Sequence, residues 1–365
     1  MIWTAGFRTA VIDPHGLLQF GEPRGFADQT LSQPLHMAGG GDAFRVRLTN
    51  LYGRSPLTIG AATASTGGGQ RAVTFGGAGR VVVAPGEEIV SDQVDLAVAG
   101  GSDLVVNLYF PDKTDLATYS HRPAEIARIA GGDRTHSHRL AGAELVEGRY
   151  VVSGVDVPAP DTMVAAAFGD SWFEGVGTTP GANRRSVDFI NRRLAQGWVV
   201  NLGIAGNRLL RDEVGPHALA RFDRDVLPIP ALTHVLVNLG INDLVLPSEL
   251  GEALPTAGDL IAGYTALAGQ ARQAGLRIVV ATIGPFAGAG PDARTPEVIG
   301  TRREVNEWIR TAGVFDGVFD VARAVADPAR PDYIRHAYDS GDGIHLNDIG
   351  AEVMAEALDL RHLTR

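Results

Sequence analysis

Residues 163–172 read Met-Val-Ala-Ala-Ala-Phe-Gly-Asp-Ser-Trp, six apolar residues followed at once by a turn sequence. A continuous apolar run of this length, bounded by a glycine turn, is typical of a strand buried on both faces of a sheet. Similar runs occupy residues 198–202, 235–239 and 278–283, and stretches of helical period occupy residues 184–196, 259–274 and 297–312. Because strands that alternate with helices indicate a parallel sheet, we predict an α/β domain over residues 161–365.

The first 155 residues have a different pattern. Residues 44–49 read Phe-Arg-Val-Arg-Leu-Thr, and alternation recurs at residues 104–110, so that one side of each segment is apolar. Glycine clusters separate such segments at residues 39–41, 67–69, 76–77 and 100–101. Short alternating strands between glycine turns favour an all-β sandwich, jelly-roll-like in type. Residues 155–160, Val-Asp-Val-Pro-Ala-Pro, read as a linker. We therefore predict a β-sandwich domain at residues 1–155 ahead of the α/β domain.

Polar residues and glycines occupy the turns that follow the predicted parallel strands. Ser171 follows the first strand, Gly206 the second and Asn242 the third, while Asp342 and His345 lie near the C-terminus. In open parallel sheets, ligands bind at the carboxyl ends of the strands. We therefore expect these five residues to share one site.

These residue types are the ones that acyl transfer requires. A weak hydroxyl nucleophile needs an adjacent base, and the base needs a carboxylate that orients it. We predict Ser171 as the nucleophile, His345 as the base and Asp342 as the orienting carboxylate. The backbone N–H groups of Ser171 and Gly206 and the side-chain amide of Asn242 would form the oxyanion hole, which stabilises the tetrahedral intermediate.

The segments that hold these residues resemble the blocks of the SGNH, or GDSL-type, hydrolase superfamily, in the family's order. They are Gly169-Asp170-Ser171, Gly206, Gly240-x-Asn242-Asp243 and Asp342-x-x-His345. The resemblance implies a three-layer α/β/α fold with a five-stranded parallel sheet. It also implies that Ser171 lies in a loop rather than on a sharp elbow, which agrees with the lack of a Gly-x-Ser-x-Gly motif around it.

Two positions depart from the family's pattern. Trp172 follows the predicted nucleophile where the family name has leucine, and Leu346 follows the predicted base where many relatives have proline. Neither residue has a proton-transfer role, and we expect both to alter the acyl pocket.

The composition excludes several kinds of site and partner. The 365 residues include no Cys, which excludes a thiol nucleophile, a thiolate metal site and a disulfide. The one lysine, Lys113, has no glycine loop before it, which excludes a P-loop. The formal net charge of −10 disfavours a nucleic-acid partner. Without a membrane-length apolar run or a signal-type segment, we expect a cytoplasmic protein, or a secreted one if a leader is missing from this chain.

Several residues have other interpretations. Three glycines in residues 175–181 follow a strand and suggest a dinucleotide site, although their spacing does not match the fingerprint. His121, His136 and His138 suggest a metal site, although histidines at i and i+2 in a polar stretch are usually solvated. The segment 339–345 could also coordinate a cation through its two acidic side chains and its histidine.

Some polar residues near the predicted site are better explained by structure than by catalysis. We interpret Asp170 and Asp243 as hydrogen-bond acceptors within the turns. Asn347 or Asp348 would cap the last helix. The apolar residues of that helix recur at helical spacing and predict one packed face, made of Ile349, Val353, Met354, Ala357 and Leu358.

These patterns together predict a carboxylic ester hydrolase that works through an acyl-enzyme intermediate and needs no cofactor or metal. The expected substrates are short-chain, acetyl-type esters, including esters on carbohydrate, because a glycine-rich β-domain ahead of such a hydrolase resembles a carbohydrate-facing module. The alternative for the β-domain is that it only covers an edge of the hydrolase domain and shapes the cleft. The alternatives are a lysophospholipase- or thioesterase-type hydrolase, an acyltransferase that uses Ser171, and a glycan-binding protein with an inactive hydrolase domain. No feature of the sequence predicts the oligomeric state.

Overall fold

The computed structural model describes residues 2–67, 69–137, 139–159 and 161–364. The chain divides into two compact units. Unit 1 extends to Asp161 and also includes Pro180–Asn183, and unit 2 comprises Thr162–Thr179 and the residues from Arg184 onward. Among the described residues, no helix has both the length and the apolar character needed to cross a membrane.

Unit 1 is built from antiparallel strands. They are β1 (Trp3–Arg8), β2 (Gln29–His36), β3 (Arg45–Thr49), β4 (Leu57–Ile59), β5 (Ala61–Thr66), β6 (Gly69–Ala72), β7 (Val81–Val83), β8 (Glu88–Val90), β9 (Asp103–Phe110), β10 (Tyr119–Ser120), β11 (Ile126–Gly131), β12 (Glu144–Glu147), β13 (Arg149–Tyr150) and β14 (Val152–Pro158). One sheet has the order β1-β14-β3-β8 and a second has the order β12-β11-β2-β9-β5-β6. Strands β10 and β13 form a small pair, as do β4 and β7.

The alternating segments of the sequence supply the core of unit 1. Val46 and Leu48 of β3 are buried, as are Leu104, Val106 and Leu108 of β9. Arg45 and Arg47, which alternate with the apolar residues of β3, are only half-buried. This is the arrangement that period-two alternation predicts. The prediction of an antiparallel β-domain is therefore confirmed.

Unit 2 contains a five-stranded parallel sheet with the order β16-β15-β17-β18-β19. Its strands are β15 (Val164–Gly169), β16 (Trp198–Gly203), β17 (His234–Asn238), β18 (Arg277–Ala281) and β19 (Gly317–Phe319), and a separate antiparallel pair comprises β20 (Ala326–Asp327) and β21 (Arg330–Ile334). Every residue of β15 and β17 is buried, as expected for apolar strands covered on both faces. The five-stranded parallel sheet that the family resemblance implies is therefore present.

The helices of unit 2 follow the strands along the chain. They are α1 (Ser171–Glu174), α2 (Ser186–Arg193), α3 (Ala218–Asp225), α4 (Ile241–Leu250), α5 (Ala257–Gln273), α6 (Pro296–Thr311), α7 (Val321–Ala324) and α8 (Asp348–Glu356), with short 3₁₀ turns at Ala287–Ala289, Asp292–Arg294, His336–Tyr338 and Leu360–Leu363. Helix α2 packs on α8, and α5 packs on both α3 and α6. The three predicted helices correspond to α2, α5 and α6, with ends shifted by one to three residues.

The strand order brings three turns to one edge of the sheet. Strand β15 lies between β16 and β17, and Gly169 at its end pairs with Gly203 of β16 and with Asn238 of β17. Because the three strands are parallel and end in register, the turns that follow them lie side by side.

The structure corrects two expectations. Residues 155–158, predicted as a linker, belong to β14, where Val155 and Val157 are fully buried and Asp156 pairs with arginines of both neighbouring strands. Ile349, predicted on the packed face of the last helix, is 55% exposed. At 100° per residue it lies about 140° around the helix from Met354, which is fully buried.

Candidate active site

Ser171 lies at the junction between the central strand and a one-turn helix. Strand β15 ends at Gly169, and Asp170 caps α1 by accepting a hydrogen bond from the backbone N–H of Trp172 at 3.1 Å. Ser171 is the first residue of α1 and is 5% exposed. Gly175, in the left-handed conformation at φ 115°, ends the helix and donates its N–H to the Ser171 carbonyl. The serine side chain is therefore held on a short, capped element at the rim of the sheet.

His345 and Asp342 lie on one segment before α8, and this segment is closed by its own hydrogen bonds. Asp342 Oδ1 accepts the backbone N–H groups of Ile344 at 3.0 Å and His345 at 2.8 Å, and Asp342 Oδ2 lies 2.6 Å from His345 Nδ1. Asp339 Oδ1 accepts the N–H groups of Gly341 and Gly343. The carboxylate and the imidazole are therefore fixed relative to each other by three bonds.

The structure brings Ser171 and His345 together from positions 174 residues apart. His345 Nε2 lies 3.1 Å from Ser171 Oγ. Partial burial favours the neutral form of Asp342, but the hydrogen bonds from His345 outweigh it and hold the pKa of this carboxyl well below its usual range. Asp342 is therefore a carboxylate that accepts the Nδ1–H of His345, and this tautomer leaves the Nε2 lone pair to accept a hydrogen bond from the Ser171 hydroxyl.

The two predicted oxyanion donors outside α1 lie shortly after the two strands that flank β15. Gly206, at φ 80°, belongs to the turn that follows β16. Asn242 is the second residue of α4 and is 7% exposed, and its Nδ2 donates to the Asn207 carbonyl at 3.0 Å. This bond uses one of the two amide hydrogens of Asn242 and fixes the plane of its side chain.

Asp170 and Asp243 act as hydrogen-bond acceptors, which confirms the structural role predicted for them. Asp170 Oδ1 also accepts from Asn238 Nδ2, and Asp243 accepts the backbone N–H groups of Leu209 and Leu210. Both carboxyls are buried. Burial raises the pKa of Asp170 to about 7, and it also raises the pKa of Asp243, against the opposing effect of the hydrogen bonds from Leu209 and Leu210. These residues connect neighbouring turns at the sheet edge.

Sequence reasoning missed a buried arginine that holds this edge together. Arg221 of α3 donates Nε to Asn207 Oδ1 at 2.9 Å, Nη1 to the Leu202 carbonyl at 3.1 Å and Nη2 to the Gly169 carbonyl at 2.8 Å. Its guanidinium also lies 4.0 Å from the centre of the Phe168 ring. The surrounding sequence, Ala-Leu-Ala-Arg-Phe-Asp-Arg-Asp, carries no signal that separates this arginine from a solvated one.

Glu174 and Asn207 were also missed. Glu174 is 4% exposed, and its Oε2 accepts the backbone N–H of Ala205 at 2.5 Å, beside Gly206. The Asn207 side chain donates to the carbonyls of Val214 and Pro216. The only indication in the sequence was that they lie close to predicted site residues: Glu174 three residues after Ser171, and Asn207 directly after Gly206.

The other interpretations of the sequence find little support among the described residues. Gly175 ends α1, and Gly177 packs against the backbone of Leu346, so these glycines serve turn geometry and close packing. His136 is exposed, His121 packs between the Phe20 and Tyr119 rings, and His138 lies outside the described residues. No group of three or more His, Asp or Glu side chains within the described ranges is arranged to hold a metal ion.

A family model described as the GDSL-like lipase/acylhydrolase family matches residues 167–353, about half of the chain. No curated protein matches the chain. Among solved structures, a GDSL-like lipase from Bacteroides thetaiotaomicron is 18% identical, with 56% of this chain and 90% of that chain covered at a TM-score of 0.43. A carbohydrate acetylesterase from Sinorhizobium meliloti is 16% identical, with 54% and 96% covered at a TM-score of 0.42.

Proposed function

The chain belongs to the GDSL-like lipase/acylhydrolase family and is a carboxylic ester hydrolase, and from this premise we propose that it cleaves short-chain acyl esters with Ser171 as the nucleophile. The observation that carries this proposal is the hydrogen-bonded series from Ser171 Oγ to His345 Nε2, 3.1 Å, and from His345 Nδ1 to Asp342 Oδ2, 2.6 Å. A nucleophile, a base and an orienting carboxylate in this order are what acyl transfer requires.

In the first half of the proposed reaction, Ser171 Oγ forms a bond to the ester carbonyl carbon while His345 Nε2 takes the hydroxyl proton. The carbonyl oxygen becomes an oxyanion, which the N–H groups of Ser171 and Gly206 and the amide of Asn242 stabilise. When the intermediate collapses, the bond to the alcohol oxygen breaks and His345 returns its proton to that oxygen. The products of this half are the free alcohol and the acyl-enzyme.

In the second half, water replaces the alcohol. His345 Nε2 takes a proton from the water as its oxygen bonds to the acyl carbon, and the same donors hold the second oxyanion. Collapse of this intermediate breaks the bond to Ser171 Oγ, which recovers its proton from His345, and the carboxylic acid leaves. Asp342 keeps the imidazole in one tautomer and balances its positive charge during both halves.

The preference for short acyl groups, on small alcohols or on carbohydrate, is supported by the surroundings of the nucleophile. Ser171 is 5% exposed, and Trp172 and Phe173 beside it are also buried. A nucleophile with so little exposed surface favours a small acyl group over a long chain, since a pocket can exclude what it has no room to hold.

The test is a series of p-nitrophenyl esters from acetyl to palmitoyl, together with acetylated sugars. We expect the highest kcat/KM at acetyl, and we expect Ser171→Ala and His345→Ala each to lower kcat by about 10³-fold or more. Ser248→Ala, a serine on α4 whose hydroxyl bonds only the Val245 carbonyl among the described contacts, is the matched control and should leave kcat unchanged.

Different results would reject different parts of the proposal. If folded Ser171→Ala kept wild-type turnover, the mechanism would be wrong. A maximum at palmitoyl would instead reject the short-chain preference and favour a lysophospholipase- or thioesterase-type substrate. Transfer to an added alcohol in excess of hydrolysis would identify an acyltransferase. Wild-type protein that binds acetylated sugars without cleaving any ester would identify a glycan-binding protein.

A further inference from the structure

A second hydrogen bond lies directly beside the Ser171–His345 contact. The indole Nε1–H of Trp172 donates to the Ile344 carbonyl at 2.8 Å. Trp172 is the residue after the proposed nucleophile, and Ile344 is the residue before the proposed base. Each end of this bond is therefore one peptide unit from a reacting side chain.

The Trp172 backbone is anchored on the nucleophile's side. Its N–H donates to Asp170 Oδ1 at 3.1 Å, and its carbonyl accepts the hydroxyl of Ser186 at 2.8 Å. The side chain is 3% exposed. An indole with its backbone held at both polar atoms and its ring buried has little freedom to change rotamer.

The indole ring packs against Gly284, where a larger residue would not fit. A β-carbon built on Gly284 would lie 2.1 Å from Cη2 of Trp172, much closer than two carbon atoms can approach. The chain next to this glycine is also fixed, because Asn306 Oδ1 accepts the Ile283 N–H at 2.7 Å and Asn306 Nδ2 donates to the Ile283 carbonyl at 2.8 Å. Arg302 Nη1 donates to the same carbonyl at 3.3 Å. The ring is therefore packed between two segments: the Ile283–Gly284 backbone, which side chains of α6 hold, and the segment that carries His345.

We propose that Trp172 is a positioning residue that sets the distance between Ser171 Oγ and His345 Nε2 through its hydrogen bond to the Ile344 carbonyl. Gly284, against which the ring packs, holds the indole in place. This inference rests on the proposed function, because it concerns the same nucleophile and base. The link depends on tryptophan at a position where the family's name has leucine, because a leucine side chain has no N–H to donate.

The expected effect is on the chemical step. The contact of 3.1 Å between Ser171 and His345 is at the long end of hydrogen-bond geometry, and displacement of a reacting group by about 1 Å costs about 10²-fold in rate. Trp172→Phe keeps an aromatic ring and removes the donor, so kcat should fall by about 10- to 100-fold. KM should change by about twofold or less, because ground-state binding does not use this bond.

The assay must separate misplacement from misfolding. A phosphonate ester that forms a covalent adduct with the serine gives the number of reactive sites, and kcat is then expressed per titrated serine. Trp198→Phe is the matched control, because Trp198 is also buried in unit 2 but begins β16 and lies at the opposite end of the parallel sheet from Ser171. It should lower stability without changing kcat per titrated serine.

Two more variants keep the test decisive if Trp172→Phe is unstable. Replacement of Trp172 by 3-benzothienylalanine retains the shape of the indole but puts a sulfur atom in place of the donor N–H, and it should reproduce the loss of kcat. Gly284→Ala leaves the Trp172 side chain chemically intact but forces the ring to move, so it should also lower kcat per titrated serine, by about 10-fold or more.

The outcomes distinguish this inference from the proposed function. If the benzothienyl variant and Trp172→Phe retained kcat per titrated serine within about twofold of wild type, while Ser171→Ala was inactive, the positioning role would be rejected and the hydrolase mechanism would stand. A loss explained fully by fewer titrated sites, or matched by Trp198→Phe, would likewise reject it. If Ser171→Ala remained active, the proposed function would fail and this inference with it.

Discussion

Single buried side chains determine the geometry of the candidate active site. Arg221 contacts the ends of two parallel strands through the Gly169 and Leu202 carbonyls and holds Asn207 through its side-chain oxygen. The Asn207 carbonyl in turn orients the Asn242 amide. The donor proposed for the oxyanion hole is therefore held by a second layer of hydrogen bonds from Asn207 and Arg221, as is common for preorganised electrostatic sites.

Asn242→Ala tests the proposed oxyanion donor. We expect kcat to fall by about 10²- to 10³-fold, with KM nearly unchanged, because the oxyanion forms only after substrate has bound. Asn191→Ala is the control: this asparagine exchanges two hydrogen bonds with Val199, at the start of β16, so its loss should lower stability and spare kcat. Equal losses of kcat in the two variants would remove Asn242 from the proposed mechanism.

Asp170 should make the stability of the protein depend on pH. Burial raises its pKa to about 7 in the folded state, whereas an exposed aspartate has a value of 3.8. As pH rises from about 4 to about 7, the unfolded chain loses this proton while the folded chain keeps it, so the free energy of unfolding falls and then levels off. The stabilising contribution is complete at low pH and lost above the folded pKa.

Asp170→Asn isolates this contribution. The amide oxygen can still accept from Trp172 and Asn238, and the side chain no longer ionises. Urea unfolding between about pH 4 and about pH 8 should show a difference between variant and wild type that moves steadily in the variant's favour. Parallel curves for the two proteins would show that Asp170 does not titrate in this range.

At the scale of secondary structure, caps and turns control where the reacting groups lie. Asn347 caps α8 by accepting the N–H groups of Ile349 and Gly350, which confirms one of the two caps that the sequence predicts. Its Nδ2 also donates to the carbonyls of Ala337 and Asp339. One side chain therefore both begins the helix and fastens the segment that carries Asp342 and His345.

Asn347→Ala should destabilise unit 2 by about 1 kcal/mol through loss of the cap, and more through the two carbonyls left without this donor. Asn347→Asp preserves the acceptor and removes the donor, so the difference between these variants measures the second role. Chemical denaturation gives both values. Exposed Ile349→Ala is the comparison that should change stability by less than about 0.5 kcal/mol.

The sequence predicts the elements of unit 2 well because its buried strands are continuous apolar runs. The predicted strand at residues 163–168 is observed at Val164–Gly169, and the predicted helix at residues 259–274 is observed at Ala257–Gln273. Contacts between distant residues could not be predicted in this way. Arg221 lies in a segment where the sequence pattern predicts no helix, and the approach of Gly284 to Trp172 depends on tertiary packing that has no local pattern.

At the scale of the whole molecule, we propose that the two compact units are the two domains that the sequence predicts, with the boundary near Asp161. All five candidate site residues lie in unit 2, and unit 1 has its own core and its own ion pairs. Asp156 is one of them: on β14, it accepts from Arg8 of β1 at 2.9 Å and from Arg47 of β3 at 2.7 Å, so it connects three neighbouring strands.

Asp156→Asn should destabilise unit 1 by about 2 kcal/mol or more, because it removes the buried carboxylate between two guanidinium groups and leaves them only the more exposed Glu88. We expect kcat per titrated serine at 25 °C to stay unchanged. Glu144→Gln removes a carboxylate that is about half exposed and pairs with Arg24, so it should cost about 1 kcal/mol or less. Thermal unfolding and esterase assays of the same samples give both readouts, and a parallel loss of kcat in Asp156→Asn would contradict the assignment of catalysis to unit 2.

The orienting carboxylate and the base of the proposed mechanism occupy one short peptide, residues 339–346. The ends of this peptide meet through a bridge between Asp339 and Leu346 and through the Ser340 N–H bonded to the His345 carbonyl. We therefore expect this segment to be transferable as a single graft into a related hydrolase, since its internal hydrogen bonds would keep the carboxylate and imidazole in their mutual geometry. A protein engineer who recombines these enzymes would then need to rebuild only the partners of the graft in the recipient, above all the tryptophan and its glycine neighbour.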